Sequence, residues 1–166
     1  MLFYFILTIF ILPGDFLLTE QLIPEPTFQT ILSDSEIILG DSFRLDIVSV
    51  NNGDYADIHI VSVAFPDLIE IGDVVKIATY DFSLSPSYIS IGEKIGSKYS
   101  GGVETTIAQY PSIEAMSRPL KPNIETHFDL VVTPSTSGIF NIYVKSIGIP
   151  NSSDVSPVSY KHLPLP

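Results

Sequence analysis

Apolar residues at every second position limit this chain to one kind of fold. Phe43, Leu45 and Ile47 alternate with Arg44 and Asp46, and Phe128, Leu130 and Val132 alternate with His127, Asp129 and Val131. Phe140, Ile142 and Val144 alternate in the same way with Asn141, Tyr143 and Lys145. Successive side chains on a strand point to opposite faces, so each run reads as a strand with one packed and one wet face. No stretch carries a sustained helical period; Ile113 to Ser117 suggests at most one helical turn before Arg118-Pro119. Short strands punctuated by Gly, Pro, Asn and Asp predict an all-β fold built as an antiparallel sandwich.

The pattern assigns further strands. Val48 to Asn51 and Asp57 to Ile60 flank Asn52-Gly53-Asp54-Tyr55-Ala56, which predicts two antiparallel strands around a tight connection. Asp57 to Phe65 is apolar on both faces and reads as a central strand. Ile37 to Leu39 before Gly40-Asp41, and Ile69 to Ile71 before Gly72-Asp73, are read as first strands of hairpins that continue in Ser42 to Val50 and Val74 to Thr79. Val155 to Tyr160 would close the sheet. Residues 80–122 fit least well: five aromatics, a Gly101-Gly102 pair and four prolines predict a long inserted excursion between central strands, with a hairpin of its own.

Met1 to Leu12 is apolar apart from Thr8 and is closed by Pro13-Gly14, the length of a signal-peptide core rather than of a bilayer span. Residues 1–14 are therefore read as an export signal or short anchor, 15–27 as a linker with Pro24 and Pro26, 28–160 as the sandwich and 161–166 as a tail. A buried first strand is the alternative for the apolar run. The formal charge of −11 lies wholly in residues 1–81, where 13 acids face only Arg44 and Lys76. Such a half repels phosphate backbones and anionic lipid heads, so nucleic acid is excluded as partner and membrane contact is left to the N-terminal segment. With no cysteine there is no disulfide framework, thiolate metal site or cysteine nucleophile, and the core must hold the fold unaided.

Two blocks carry a family resemblance. VSVNNGDYADIHI (48–60) resembles the B–C strand pair of the CARDB-type (cell-adhesion-related) immunoglobulin-like domains of bacterial and archaeal surface proteins. FDLVVTPSTSGIFNIYVKSI (128–147) resembles their E-to-F passage, and is similar to surface proteins of ammonia-oxidising archaea. Phe140 stands where many such domains have the tyrosine of a corner, so the hydroxyl that ties that corner is missing. The resemblance implies an immunoglobulin-like sandwich with a role in adhesion or scaffolding, and brings no catalytic residue with it.

The candidate site residues each have a plainer reading. Asn51, Asp54, Asp57 and Asp73 offer the oxygens that calcium needs, though Asn, Gly and Asp also build tight turns for backbone reasons. Tyr80, Phe82, Tyr88, Tyr99 and Tyr110 make either a stacking platform for a ligand or cross-strand packing. Asn151-Ser152-Ser153 is a glycosylation sequon. His59, His127 and His162 sit in three segments without metal-ligand spacing, and Glu93, Glu104 and Glu114 lack the pairing of a glycosidase. No nucleophile elbow is present, so no catalytic residue is assigned and the chain is expected not to be an enzyme. The expectation is a secreted or cell-surface module, structural or adhesive, contacting protein or surface glycan, with no cofactor unless calcium. The alternatives are a carbohydrate-binding module, calcium-assisted or not, and an accessory subunit of a membrane complex.

Overall fold

The structure, a computed structural model, describes residues 23–95 and 106–150. These residues form an all-β, immunoglobulin-like sandwich of two four-stranded antiparallel sheets. The strands are β1 Pro26–Leu32, β2 Phe43–Asn51, β3 Ile58–Ala64, β4 Val75–Tyr80, β5 Leu84–Ile89, β6 Lys94–Ile95, β7 Thr106–Ile107, β8 Ser112–Ser117, β9 Glu125–Val132 and β10 Tyr143–Ile149. One sheet has the order β1-β2-β9-β4 and the other β10-β3-β8-β5, while β6 and β7 pair as a separate hairpin.

The alternating runs do what their period requires. Leu45 and Ile47 of β2, Val75 of β4, and Phe128, Leu130 and Val132 of β9 point inward from the first sheet. They meet Val61 and Val63 of β3 with Ile113 and Ala115 of β8, and Phe65, Ile71 and Phe82 complete the core. β3 is central, between β10 and β8, and its other face forms a second cluster of Ile58 and Ile60 with Ile149, Met116 and Ile147. Burial on both faces explains its continuous apolar character.

Several local expectations are corrected. The runs around Asn52-Gly53-Asp54 are not a hairpin: β2 lies in the first sheet and β3 in the second, so the segment crosses the sandwich. Alternation specifies a strand and its faces, but not its partner. The strand before β2 is Pro26–Leu32, not Ile37–Leu39, and its register runs from Pro26 opposite Asn51 to Leu32 opposite Leu45. Proline is tolerated there because β1 is an edge strand, so the predicted linker enters the sheet. Ile69 to Ile71 is irregular connection rather than strand and leads into a turn at 72–74, where the Val74 and Val75 amides both donate to the Ile71 carbonyl.

Ile113 to Ser117 is strand, within β8, because a five-residue run is too short for helical and strand periods to be told apart. Residues 80–122 include β5 and β8, two of the second sheet's four strands, so much of the segment belongs to the sandwich itself, and β6 and β7 form the hairpin outside it. Pro86 and a register shift between Leu84 and Ser87 break the alternation that would have marked β5. The last described strand starts at Tyr143, whereas Phe140 and Ile142 turn into a small cavity. Val155 to Tyr160 lies outside the described residues.

Candidate functional site

Strand direction sorts the connections into two ends. β1, β3, β5 and β9 run towards one end, and the chain returns from it in β2, β4, β8 and β10. Residues 33–42, 65–74, 90–95, 106–111 and 133–142 are the described residues of that loop end. The crossing at 52–57, with 81–83 and 118–124, makes up the corner end.

At the corner end the candidate calcium ligands are occupied in holding the backbone. Asn51 is fully buried; its Oδ1 accepts from the Glu25 amide at 3.0 Å and the Gly53 amide at 3.2 Å, and its Nδ2 donates to the Asp54 carbonyl. Asp54 Oδ2 accepts from the Ile23 amide at 3.0 Å, and the Asp54 amide donates to the Ile23 carbonyl at 3.0 Å. Two further segments join here: from 118–124 the Asn123 amide donates to the Asn51 carbonyl and Leu120 bridges Ala56, and the Ile149 carbonyl of β10 accepts from the Asp57 amide. Gly53 is required by contact, since a Cβ there would sit 2.5 Å from the Glu25 nitrogen and closer still to the Ile23 carbonyl oxygen. Asp73 lies beyond the far end of β3, roughly 20 Å of strand away. The four proposed ligands are therefore not brought together, and no group of three or more His, Asp or Glu among the described residues is placed to hold a metal.

Between the sheets, at the edge where β1 and β10 approach, His59 forms a polar tie rather than a metal ligand. Its Nε2 lies 3.0 Å from Ser49 Oγ and 2.8 Å from Ser146 Oγ, which are 2.9 Å from each other. Ser49 Oγ also donates to the Thr27 carbonyl, and the imidazole stacks on Phe82 at 5.9 Å. The ring is fully buried and its Nδ1 has no hydrogen-bond partner. A proton on Nε2 fits this best, because a bare lone pair costs less than a bare N–H. Desolvation pushes its pKa down to about 4. A Ser–His pair of this kind has no carboxylate on Nδ1, and both side chains are inaccessible. His127 lies exposed on β9, and His162 is outside the described residues.

The five candidate aromatics disperse. Phe82 is in the core between His59 and Phe128. Tyr88 donates to the Val75 carbonyl at 3.0 Å and Tyr80 to Ser85 Oγ at 3.3 Å, so both fasten the β4 edge of one sheet to the β5 edge of the other. Tyr110 meets Tyr143 edge-on at 6.3 Å at the loop end. Tyr99 and Asn151 are outside the described residues. A coplanar platform is not formed by the four rings that are described.

What the loop end does carry was missed in the sequence. Ile139 is 93% exposed, Ile69 83% and Ile38 77%, the three most exposed large apolar side chains among the described residues. Each stands on a different connection, and Leu32, Leu39, Ile91, Ile107, Tyr110 and Tyr143 are exposed around them. The loops are fixed to one another: Asp67 Oδ2 accepts from the Asn141 amide at 2.6 Å, Ser42 Oγ pairs with Thr133 Oγ1 at 2.7 Å, and the Phe65 amide donates to Pro111. Below them Phe43, Phe65, Leu68, Val74, Phe140 and Ile142 line a cavity of about 30 Å³, room for little more than one water. The signal available was an isolated isoleucine among turn residues, as in Gly138-Ile139 and Asp67-Leu68-Ile69-Glu70, which a search for alternation passes over.

Neither the protein-family models nor the curated proteins contain a match to this chain.

Proposed function

We propose that this chain is an exported, surface-displayed module of CARDB-like type that acts structurally or adhesively through protein–protein contact and carries out no reaction. The observation that carries this reading is the loop end, where aliphatic side chains stand in water on loops tied to a rigid sandwich. Burying them against another surface would be favourable by roughly 25 cal/mol for each Å² of apolar area removed from water. Polar groups weighed in the sequence for chemistry are employed in the fold: Asn51 and Asp54 at the corner, and His59, bonded to Ser49, between the sheets. Export and tethering rest on Met1 to Leu12, outside the described residues.

The carbohydrate-binding alternative is not adopted, because it needs exposed coplanar rings, whereas Phe82 is buried and Tyr110 meets its neighbour edge-on. The experiment is a photo-crosslinking scan of the full chain in its producing cell, with the reactive group placed on each sheet face and at each end. Adducts of discrete mass with another protein, on cells from which external protease removes the chain, are the expected result. A chain that external protease cannot reach, or one that yields no protein adduct from any position, would overturn the reading.

A further inference from the structure

The geometry points to the loop end as the contact surface, and to a partner protein whose own surface is apolar and fringed by lysine and arginine. This rests on the proposed mode of action and narrows it to one face and one chemistry. Ile38, Ile69 and Ile139 come from three connections, and none of them covers another in the described structure. An apolar surface of this kind on a soluble module is where contact with another molecule is expected.

Charge selects among the possible occupants. The described residues of the four loop-end connections hold seven carboxylates, Asp34, Glu36, Asp41, Asp67, Glu70, Asp73 and Glu93, and one base, Lys94, to which Lys76 of β4 adds a second by reaching back to Gly72 and Asp73, so acids still outnumber bases seven to two. An anionic membrane is repelled by that balance, and so is a second copy offering the same end. A surface with complementary positive charge around an apolar centre would be steered in and then held. The corner end lacks this combination. Its exposed apolar groups, Ile23, Tyr55, Tyr80, Leu84 and Ile124, are fewer and less exposed, and its loops include Arg118 and Lys121.

The test uses the full chain and two amphipathic helical peptides, one with leucine opposite lysine and one with leucine opposite glutamate. Binding is followed by fluorescence anisotropy at low and at physiological salt. The lysine peptide is expected to bind, to weaken at least tenfold with added salt, and to weaken at least tenfold for the Ile38→Ser, Ile69→Ser, Ile139→Ser triple variant. The corner variant Ile23→Ser, Ile124→Ser should leave its affinity unchanged. Equal binding of both peptides, or no loss in the triple variant, overturns the assignment. So does a triple variant whose lost property is instead adhesion to vesicles of anionic phospholipid, or self-association in sedimentation. Since the crosslinking scan samples every face, adducts that arise only from a sheet or from the corner would retain protein contact as the mode of action while removing the loop end as its place.

Discussion

The two ends of this sandwich use turn chemistry in opposite ways. At the corner end, the side chains of Asn51, Asn52 and Asp54 bond to Glu25, Thr27, Gly53 and Ile23, so that polar residues bind the incoming strand to the crossing segment. At the loop end side chains such as Asp67, Ser42 and Glu93 tie the turns as well, but there isoleucines project into water. A segment rich in Asn, Gly and Asp draws attention as a possible ion site, yet here it is consumed by the fold. The residues left over are aliphatic, which is the kind that a binding surface needs and a monomer does not. If this contrast is right, substitutions at the corner should cost stability and substitutions at the loop end should not.

The largest effect is expected at Asn51. Asn51→Ala removes a buried side chain that satisfies two amide donors and one carbonyl at a part-buried corner; an unsatisfied group costs about 1 to 3 kcal/mol when buried and less where water reaches it, so a loss of about 3 kcal/mol is expected in urea unfolding. A loss under about 1 kcal/mol would mean that the corner is not the structural end.

A comparable effect should follow from pH at the tie between the sheets. The unfolded His59 takes a proton near pH 6.5, while the folded ring, desolvated, does so only near 4. Between these values the unfolded state holds more protons, so stability falls as pH drops through the window and the loss levels off below about pH 4. The full difference is about 3 kcal/mol. His59→Gln removes the titrating group, and its stability profile should be flatter than that of the unaltered chain between pH 6.5 and 4; profiles of equal slope would show that His59 is not a source of the acid sensitivity. Gly53→Ala comes next, at about 2 kcal/mol, because its Cβ meets backbone atoms that cannot move without pulling Glu25 away from Asn51.

What was legible in the sequence follows from what local periodicity can carry. The faces of β2 and β9 were readable because Leu45, Ile47, Phe128 and Leu130 alternate without interruption, and β3 was readable as central because it is apolar on both faces. Which sheet each strand joins was not, since β2 and β3 are separated by a segment that serves equally well as a hairpin turn or as a crossing. The carbonyls and amides that decide between them belong to Ile23, Glu25, Leu120 and Ile149, distant in sequence. β5 was hidden by Pro86, and β8 by its shortness and its buried Ser112, Glu114 and Ser117. Of the candidate aromatics, Phe82 went to the core because a ring without a polar handle gains most from full burial, whereas Tyr80 and Tyr88 keep their hydroxyls at hydrogen-bond partners on the sheet edges. Ile38, Ile69 and Ile139 were missed because exposure is a tertiary property, and isolated isoleucines are normally core residues.

The smallest expected change in stability is the most discriminating. Ile139→Ser and Ile69→Ser remove side chains that are 93% and 83% exposed, so the folded state loses almost no packing and the unfolded state gains almost nothing. Each should shift the urea midpoint by the equivalent of less than about 0.5 kcal/mol, with the slope of the transition unchanged. The two sites lie on different connections, so the double variant should show the sum of the two single effects. A loss above about 1 kcal/mol in either would mean that these isoleucines are packed against the protein itself, and the loop end would then be part of the fold's own core rather than a surface awaiting a partner. Stability unchanged together with lower aggregation at high concentration is the result that separates the two ends most sharply, because it removes the apolar surface while leaving the sandwich beneath it intact.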